Sequence, residues 1–259
     1  MSIAWLLVPA GWAALYEAAR RRGGMRTGAR RWCWYGAGVL LVIAGEPPLA
    51  GLAQRSVWAQ ALQFGMLAFG VTPLAVLGLP RPFRDASTPL AFPAIRTPVR
   101  DAAAAWLCFL AVTIGWRVPA AVDAAASGGG WLALEALTLV GGTWWLWVTL
   151  TGASRPGLAL ARPQRIGLAA VSTWPVWIFA YVVGFSGHTF YPAFPTGAAT
   201  SAQQELVTGV LLVTSALAFC PVIFVNLTRW LTADQAEAEA EMARYRLRQP
   251  AARGGADGG

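Results

Sequence analysis

All twenty basic residues of this 259-residue chain are arginines, and eighteen of them fall in every second gap between seven apolar runs. The runs are roughly Ile3 to Ala19, Cys33 to Leu52, Val57 to Leu79, Ala102 to Ala121, Trp131 to Thr151, Ile166 to Ser186 and Glu205 to Leu231. A helix rises about 1.5 Å per residue, so about 20 residues cross some 30 Å of hydrocarbon. Inside that layer every backbone polar group must be satisfied within the chain, which leaves helices for segments of this length. The pattern therefore predicts an all-α polytopic membrane protein, a bundle of seven transmembrane helices.

The arginines set the orientation, because short cytoplasmic loops retain positive charge and external ones lose it. Arg20, Arg21, Arg22, Arg26, Arg30 and Arg31 follow the first run; Arg81, Arg84, Arg96 and Arg100 follow the third; Arg155, Arg162 and Arg165 follow the fifth. Arg229, Arg244, Arg246, Arg248 and Arg253 belong to the end of the chain, and only Arg55 and Arg117 are left for the other side. The N-terminus is thus expected outside and the C-terminus in the cytoplasm, in a multi-pass protein of the cell (plasma) membrane.

A hydrophobic share of 56% with 12% charged residues and fourteen tryptophans excludes an ordinary soluble domain. The net charge of +8 is a topology signal beside anionic lipid, not a footprint for nucleic acid. The first run has no basic segment before it and no small-residue cleavage site behind it, so it reads as a retained helix and not a signal peptide. Cys33, Cys108 and Cys220 are too widely spaced to suggest a disulfide framework. Residues 1–232 form the membrane domain. Residues 233–249, acidic early and arginine-rich late, extend the last helix into the cytoplasm, and residues 250–259 read as a disordered tail. The proline-rich stretch from Pro80 to Pro98 reads as an irregular cytoplasmic loop.

Chemistry in a bilayer is best sought among residues that are expensive to place there. Glu17 sits three and four residues before Arg20 and Arg21 and pairs with them along one helix face. Gln60 and Gln63 share a face of the third run and suit interhelical hydrogen bonding. The outer side holds Glu46 before Pro47 and Pro48, Arg117 at the end of the fourth run, Asp123 in the loop after it, Glu135 one turn into the fifth run, and Glu205 at the start of the seventh. The single histidine, His188, lies in the external loop GHTFYPAFP. This set is either a structural network, since desolvated charges at helix ends need partners, or a ligand site with Arg117 as counter-charge. Candidate metal ligands are Glu46, Glu135, His188 and Glu205 on that side, and Met66, Cys108 and Cys220 as soft donors deep in the membrane. No histidine pair, phosphate loop or nucleophile with a base is present, so the chain does not read as an enzyme.

The stretch from LYEAARRRG through EPPLAGLA to SVWAQALQFGMLAFGVTPLAVLGLP resembles the CtaG-type cytochrome c oxidase assembly factors. Ser56, Val57, Pro73, Leu74, Leu77, Gly78 and Pro80 match that family's third-span frame. Gly142, Thr143, Trp144 and Trp145 are similar to its glycine then Phe-Trp-Trp segment. Pro163, Gly167 and Tyr191 also match, and Gln203 with Gln204 resemble the opening of its last span. The resemblance runs in order from residue 12 to about 245. It implies a membrane helper that brings copper to the oxidase. The family's two third-span histidines, however, fall on Trp58 and Leu62, and its fifth-span histidine is missing. Two histidines at i and i+4 lie on one helix face and can grip one ion; tryptophan and leucine cannot.

Three functional readings follow. The first is an assembly factor or chaperone for a copper-containing terminal oxidase, acting through helix contacts with the catalytic subunit, without the histidine-based copper site, or holding copper weakly through the outer acids and His188. The second is a stable, non-catalytic accessory subunit of a respiratory or copper-dependent membrane complex. The third, a small-ion transporter using Glu46, Glu135 and Glu205, is weakened by the lack of charge near the bilayer midplane.

Overall fold

The computed structural model describes residues 10–18, 21, 28, 30–79, 97–152, 159–188, 190–192, 194 and 201–248. These residues are helical, with no strand among them: α1 (residues 10–18), α2 (Arg30–Gly45), α3 (Leu49–Ala53), α4 (Val57–Gly78), α5 (Pro98–Gly115), α6 (Pro119–Ala126), α7 (Gly130–Thr151), α8 (Arg162–Phe185) and α9 (Ser201–Arg248). Five of them, α4, α5, α7, α8 and α9, are long and apolar enough to cross a membrane. Arg20, the loop over 80–96 and the segment 250–259 lie outside the described residues.

Three boundaries differ from the sequence reading, each beside a proline; the run Ala102 to Ala121 is split into α5, ending at Gly115, and α6, beginning at Pro119. The apolar run Cys33 to Leu52 is not one helix. It stops at Gly45 and resumes at Leu49, because Pro47 and Pro48 lack the N–H groups that would carry the helix on. Asp123 is not in a loop but in α6, which begins at Pro119 in the first-turn position that tolerates proline. At the far end, α9 runs unbroken to Arg248, and from Asp234 to Tyr245 every side chain is exposed.

The centre of the bundle is α4. Some 72% of its spanning window is buried, against 22–39% for the other four. Its only residues that are not buried are Trp58, Leu62, Met66, Gly70, Leu74 and Leu77. They recur every four or three residues, so a single strip of the helix is left partly open: only Leu77 is exposed, and Gly70 and Leu74 face Leu40 and Gly36 of α2. A regular helix drifts about 40° for every four residues. The π-helical stretch Met66–Val71 absorbs that drift by adding a residue to the turn. Pro73 accounts for the wide turn, since it has no N–H for the Phe69 carbonyl and its ring crowds that oxygen. Carbonyls of this stretch find other donors: Thr72 Oγ1 donates to Leu67 O (3.2 Å) and Trp147 Nε1 to Ala68 O (3.4 Å).

Small residues set the helix contacts, as they do where lipid removes the hydrophobic drive for association. A Cβ on Gly78 would lie 2.5 Å from the Trp34 backbone nitrogen, one on Gly65 2.7 Å from Thr214 Oγ1, and one on Gly142 2.6 Å from Val112 Cγ1. These approaches join α4 to α2, α4 to α9, and α7 to α5. Phe64, Phe69, Phe109, Phe219 and Trp147 stack and tilt against one another in the interior. The α1 helix is tied on by a reciprocal pair: Trp12 Nε1 donates to Trp34 O and Trp34 Nε1 to Trp12 O, each at 2.9 Å.

Candidate functional site

A buried polar centre lies at the arginine-poor end of the bundle. The α5 helix ends at Gly115, and the turn before Pro119 swings Arg117 inward, where it is only 2% exposed. Its guanidinium covers the Phe64 ring at 4.7 Å from the centroid, and its Nη2 donates to Gln60 Oε1. Gln60 Nε2 in turn donates to Glu135 Oε1 at 3.3 Å. The glutamine thus stands between acid and base and bonds both. Tyr191 is fully buried, and its hydroxyl donates to the Arg117 carbonyl at 3.2 Å. Burial pushes the Tyr191 hydroxyl above its ordinary range; Arg117 opposes the rise and Asp123 adds to it.

This centre carries unmet demand. Arg117 Nε and Nη1, Glu135 Oε2 and Asp123 Oδ1 are buried without a hydrogen-bond partner among the described residues. Such groups cost about 1–3 kcal/mol each, so α4, α5, α7 and the segment around Tyr191 are joined by a network of which every member depends on the others.

The described residues between α8 and α9 fold back onto the bundle instead of standing free. Gln204 holds it: Phe190 N donates to Gln204 Oε1 (2.9 Å), and Gln204 Nε2 donates to His188 O (2.8 Å) and Val183 O (3.3 Å). Beside it, Ser56 Oγ donates to Gln203 Oε1 (3.2 Å), tying the start of α4 to the start of α9. Phe194 is buried as well.

Of the residues singled out from sequence, the structure brings Arg117 and Glu135 together through Gln60. Asp123 lies close enough to act on Tyr191 beside them, but Glu46, His188, Glu205, Gln63 and the soft donors are not brought to them. Glu205 and His188 are exposed, and Glu46 is half-buried where α2 stops. Gln63 turns the other way and donates to Ala44 O (2.5 Å). Met66 and Cys108 are half-buried on different helices, and Cys220 is exposed. Glu17 accepts a bond from the Tyr35 hydroxyl at 3.5 Å. One charged residue escaped the sequence reading: Asp101 is 4% exposed and accepts from Trp145 Nε1 at 3.3 Å. The signal was present in T-P-V-R-D, a capped helix start that puts an acid in the first turn, where the dipole favours it.

The model of the family described as cytochrome c oxidase caa3 assembly factor matches residues 10–233. The chain belongs to that family. It is therefore a membrane protein of the oxidase assembly class. No curated protein and no solved structure matches it.

The frame that carried the resemblance has a structural role here. Ser56, Tyr191, Gln203 and Gln204 are the residues that fasten the arginine-poor end. Trp58 and Leu62, which the resemblance sets where the paired histidines are expected, lie one turn apart on the half-buried strip of α4, and Met66 follows one turn later. These side chains do not fit copper. No three His, Cys, Asp or Glu side chains gather as a metal site among the described residues, and Met66, Cys108 and Cys220 sit on three different helices.

Proposed function

We propose that this caa3-type assembly factor works on the catalytic subunit of a terminal oxidase through the open strip of α4, without a histidine-based copper site of its own. The observation that carries the reading is the strip itself. The most enclosed helix of the bundle is only half-buried along one line, and that line runs through the two positions where the resemblance expects metal-binding histidines. A partly open face suits contact with a partner helix, and the half-buried Trp58, Leu62 and Met66 offer it packing surface in place of ligands. The role is non-catalytic. The arginine distribution supports a plasma-membrane topology of seven crossings with the N-terminus outside and the exposed end of α9 in the cytoplasm.

The test is photo-crosslinking in native membranes, with the reactive residue placed at Leu62 or, as a control, at Leu217, which is 72% exposed on α9. Leu62 should capture the oxidase catalytic subunit and Leu217 should not, and membranes lacking the chain should hold less assembled oxidase. Equal capture from both positions, or an unchanged oxidase level without the chain, would overturn the proposal.

A further inference from the structure

We infer that the buried centre at the arginine-poor end is a hydration site, binding ordered water at the guanidinium edge of Arg117 and at Glu135 Oε2. Arg117 is 2% exposed and Glu135 is fully buried. Arg117 gives Nη2 to Gln60 Oε1, and Glu135 Oε1 accepts from Gln60 Nε2. The amide therefore stands where a direct ion pair would form. Arg117 Nε and Nη1 and Glu135 Oε2 are left without a partner among the described residues. The Phe64 ring lies under the guanidinium, but guanidinium N–H groups point outward in their own plane, so their partner belongs at the edge. Three such groups left unmet would offset a large part of the stability of a domain.

The two charges choose the occupant. A cation at Glu135 Oε2 would sit one amide away from Arg117, and no three metal-binding side chains gather among the described residues. An anion at the guanidinium would sit as close to Glu135. An apolar ligand answers neither group. The occupant must accept from N–H, donate to a carboxylate oxygen and carry no charge. Water does all three, and a buried water bonds about three otherwise unmet polar groups. Supply is close at hand, because Glu135 lies only about 8 Å along α7 from its start at Gly130. Asp123 continues the polar surface outward. It is half-buried, its Oδ1 also lacks a partner, and it acts on Tyr191, whose hydroxyl bonds the Arg117 carbonyl. Ionisable residues within a bundle commonly face water in this way.

The experiment is X-ray radiolytic footprinting of the full chain in lipid nanodiscs, which hydroxylates aromatic rings that lie beside water even where they are buried. Phe64 is 1% exposed and Phe109 and Phe219 are 0% exposed. Of the three, Phe64 alone lies under the Arg117 guanidinium, while Phe109 and Phe219 pack edge to face against each other. Wild type should be hydroxylated at Phe64 and not at Phe109 or Phe219. The combined variant Gln60→Leu, Arg117→Leu and Glu135→Leu removes the groups that hold the water and should lose the Phe64 label. A wild-type Phe64 as unreactive as Phe109 and Phe219 would overturn the inference, and that comparison requires no variant to fold. So would a Phe64 label that survives in the folded triple variant. Suppression of the wild-type label by added chloride or by a divalent cation would place an ion there instead of water, and would overturn it too. The oxidase crosslink at Leu62 is independent of these outcomes.

Discussion

Replacing Gln60 with leucine asks whether the buried polar centre behaves as one unit. Leucine is close to glutamine in size, so the change removes polar atoms without opening a large cavity. Two hydrogen bonds go, one to Glu135 Oε1 and one from Arg117 Nη2. Interhelical hydrogen bonds in membranes average only about 0.6 kcal/mol, because the unfolded chain in the bilayer also finds partners. The two bonds alone therefore set a floor of about 1 kcal/mol. The larger effect comes from what is stranded. Glu135 is fully buried and Arg117 nearly so, and each already has an unpartnered atom. A newly orphaned polar group adds about 1–3 kcal/mol, so Gln60→Leu should destabilise by about 2–4 kcal/mol. That is a large part of the roughly 5–15 kcal/mol that holds a domain folded.

The decisive comparison is with the combined variant Gln60→Leu, Arg117→Leu and Glu135→Leu. Removing a whole buried ionic group is often neutral or stabilising, whereas removing one partner costs about 3–5 kcal/mol. The triple variant should thus unfold within about 1 kcal/mol of wild type, while Glu135→Leu alone is strongly destabilised. Reversible unfolding in mixed micelles, followed by tryptophan fluorescence, measures all five proteins: wild type, the three single variants and the triple. A triple variant as unstable as the sum of its three single changes would refute the reasoning, because the residues would then act independently.

Adjacent glycines on α7 make a second test: Gly142→Ala should cost about 1–3 kcal/mol through its clash with Val112, while Gly141→Ala, with nothing within 4 Å, should gain up to about 1 kcal/mol. Matching unfolding midpoints for the two would count against close α5–α7 packing. Tyr191 gives a pH test. Its folded-state value is raised above the ordinary 10.0, so its contribution to stability is complete below that pH and declines as pH rises through the folded value. Tyr191→Phe should lose about 1 kcal/mol at neutral pH with the bond to the Arg117 carbonyl, and should flatten the alkaline decline; parallel wild-type and variant pH profiles would contradict this. Finally, Trp58→His with Leu62→His places two imidazoles one turn apart, in line with Met66. Equilibrium dialysis should show copper bound by this double variant and not by either single one.

Much of this arrangement is readable from the chain, and the limits have physical causes. Long apolar runs mark helices, so α4, α7, α8 and α9 lie close to where hydropathy places them. The Pro47–Pro48 pair marked where the second span ends at Glu46, but the short helix holding Asp123 was missed because a window that counts apolar residues passes over the single Pro119 that starts it. Sequence also put Arg117 and Glu135 on one side of the membrane, since each is near a run end. It could not put Gln60 between them. That depends on which face of α4 meets α5 and α7, and three polar residues in different runs carry no mutual register. The open strip was hidden for the same reason, because Trp58, Leu62 and Met66 are as apolar as the buried residues beside them. Only the enclosure of the other faces sets them apart.

The make-up of the strip bears on how long a partner stays. Trp58, Leu62, Met66, Gly70, Leu74 and Leu77 include one side-chain donor, the Trp58 indole, and no charge. In water such a surface would bind through area removed from solvent, at about 25 cal/mol per Å². In a bilayer that drive is absent, since lipid tails are as apolar as leucine, and association rests on packing and on interhelical hydrogen bonds. A contact through this strip has packing but at most one hydrogen bond, so it suits a partner that arrives and leaves. A permanent subunit would need further polar contacts, and the conspicuous buried polar groups of this chain are already turned inward at Gln60, Arg117 and Glu135. The distribution of polarity between strip and interior thus favours a transient assembly factor over a stable accessory subunit.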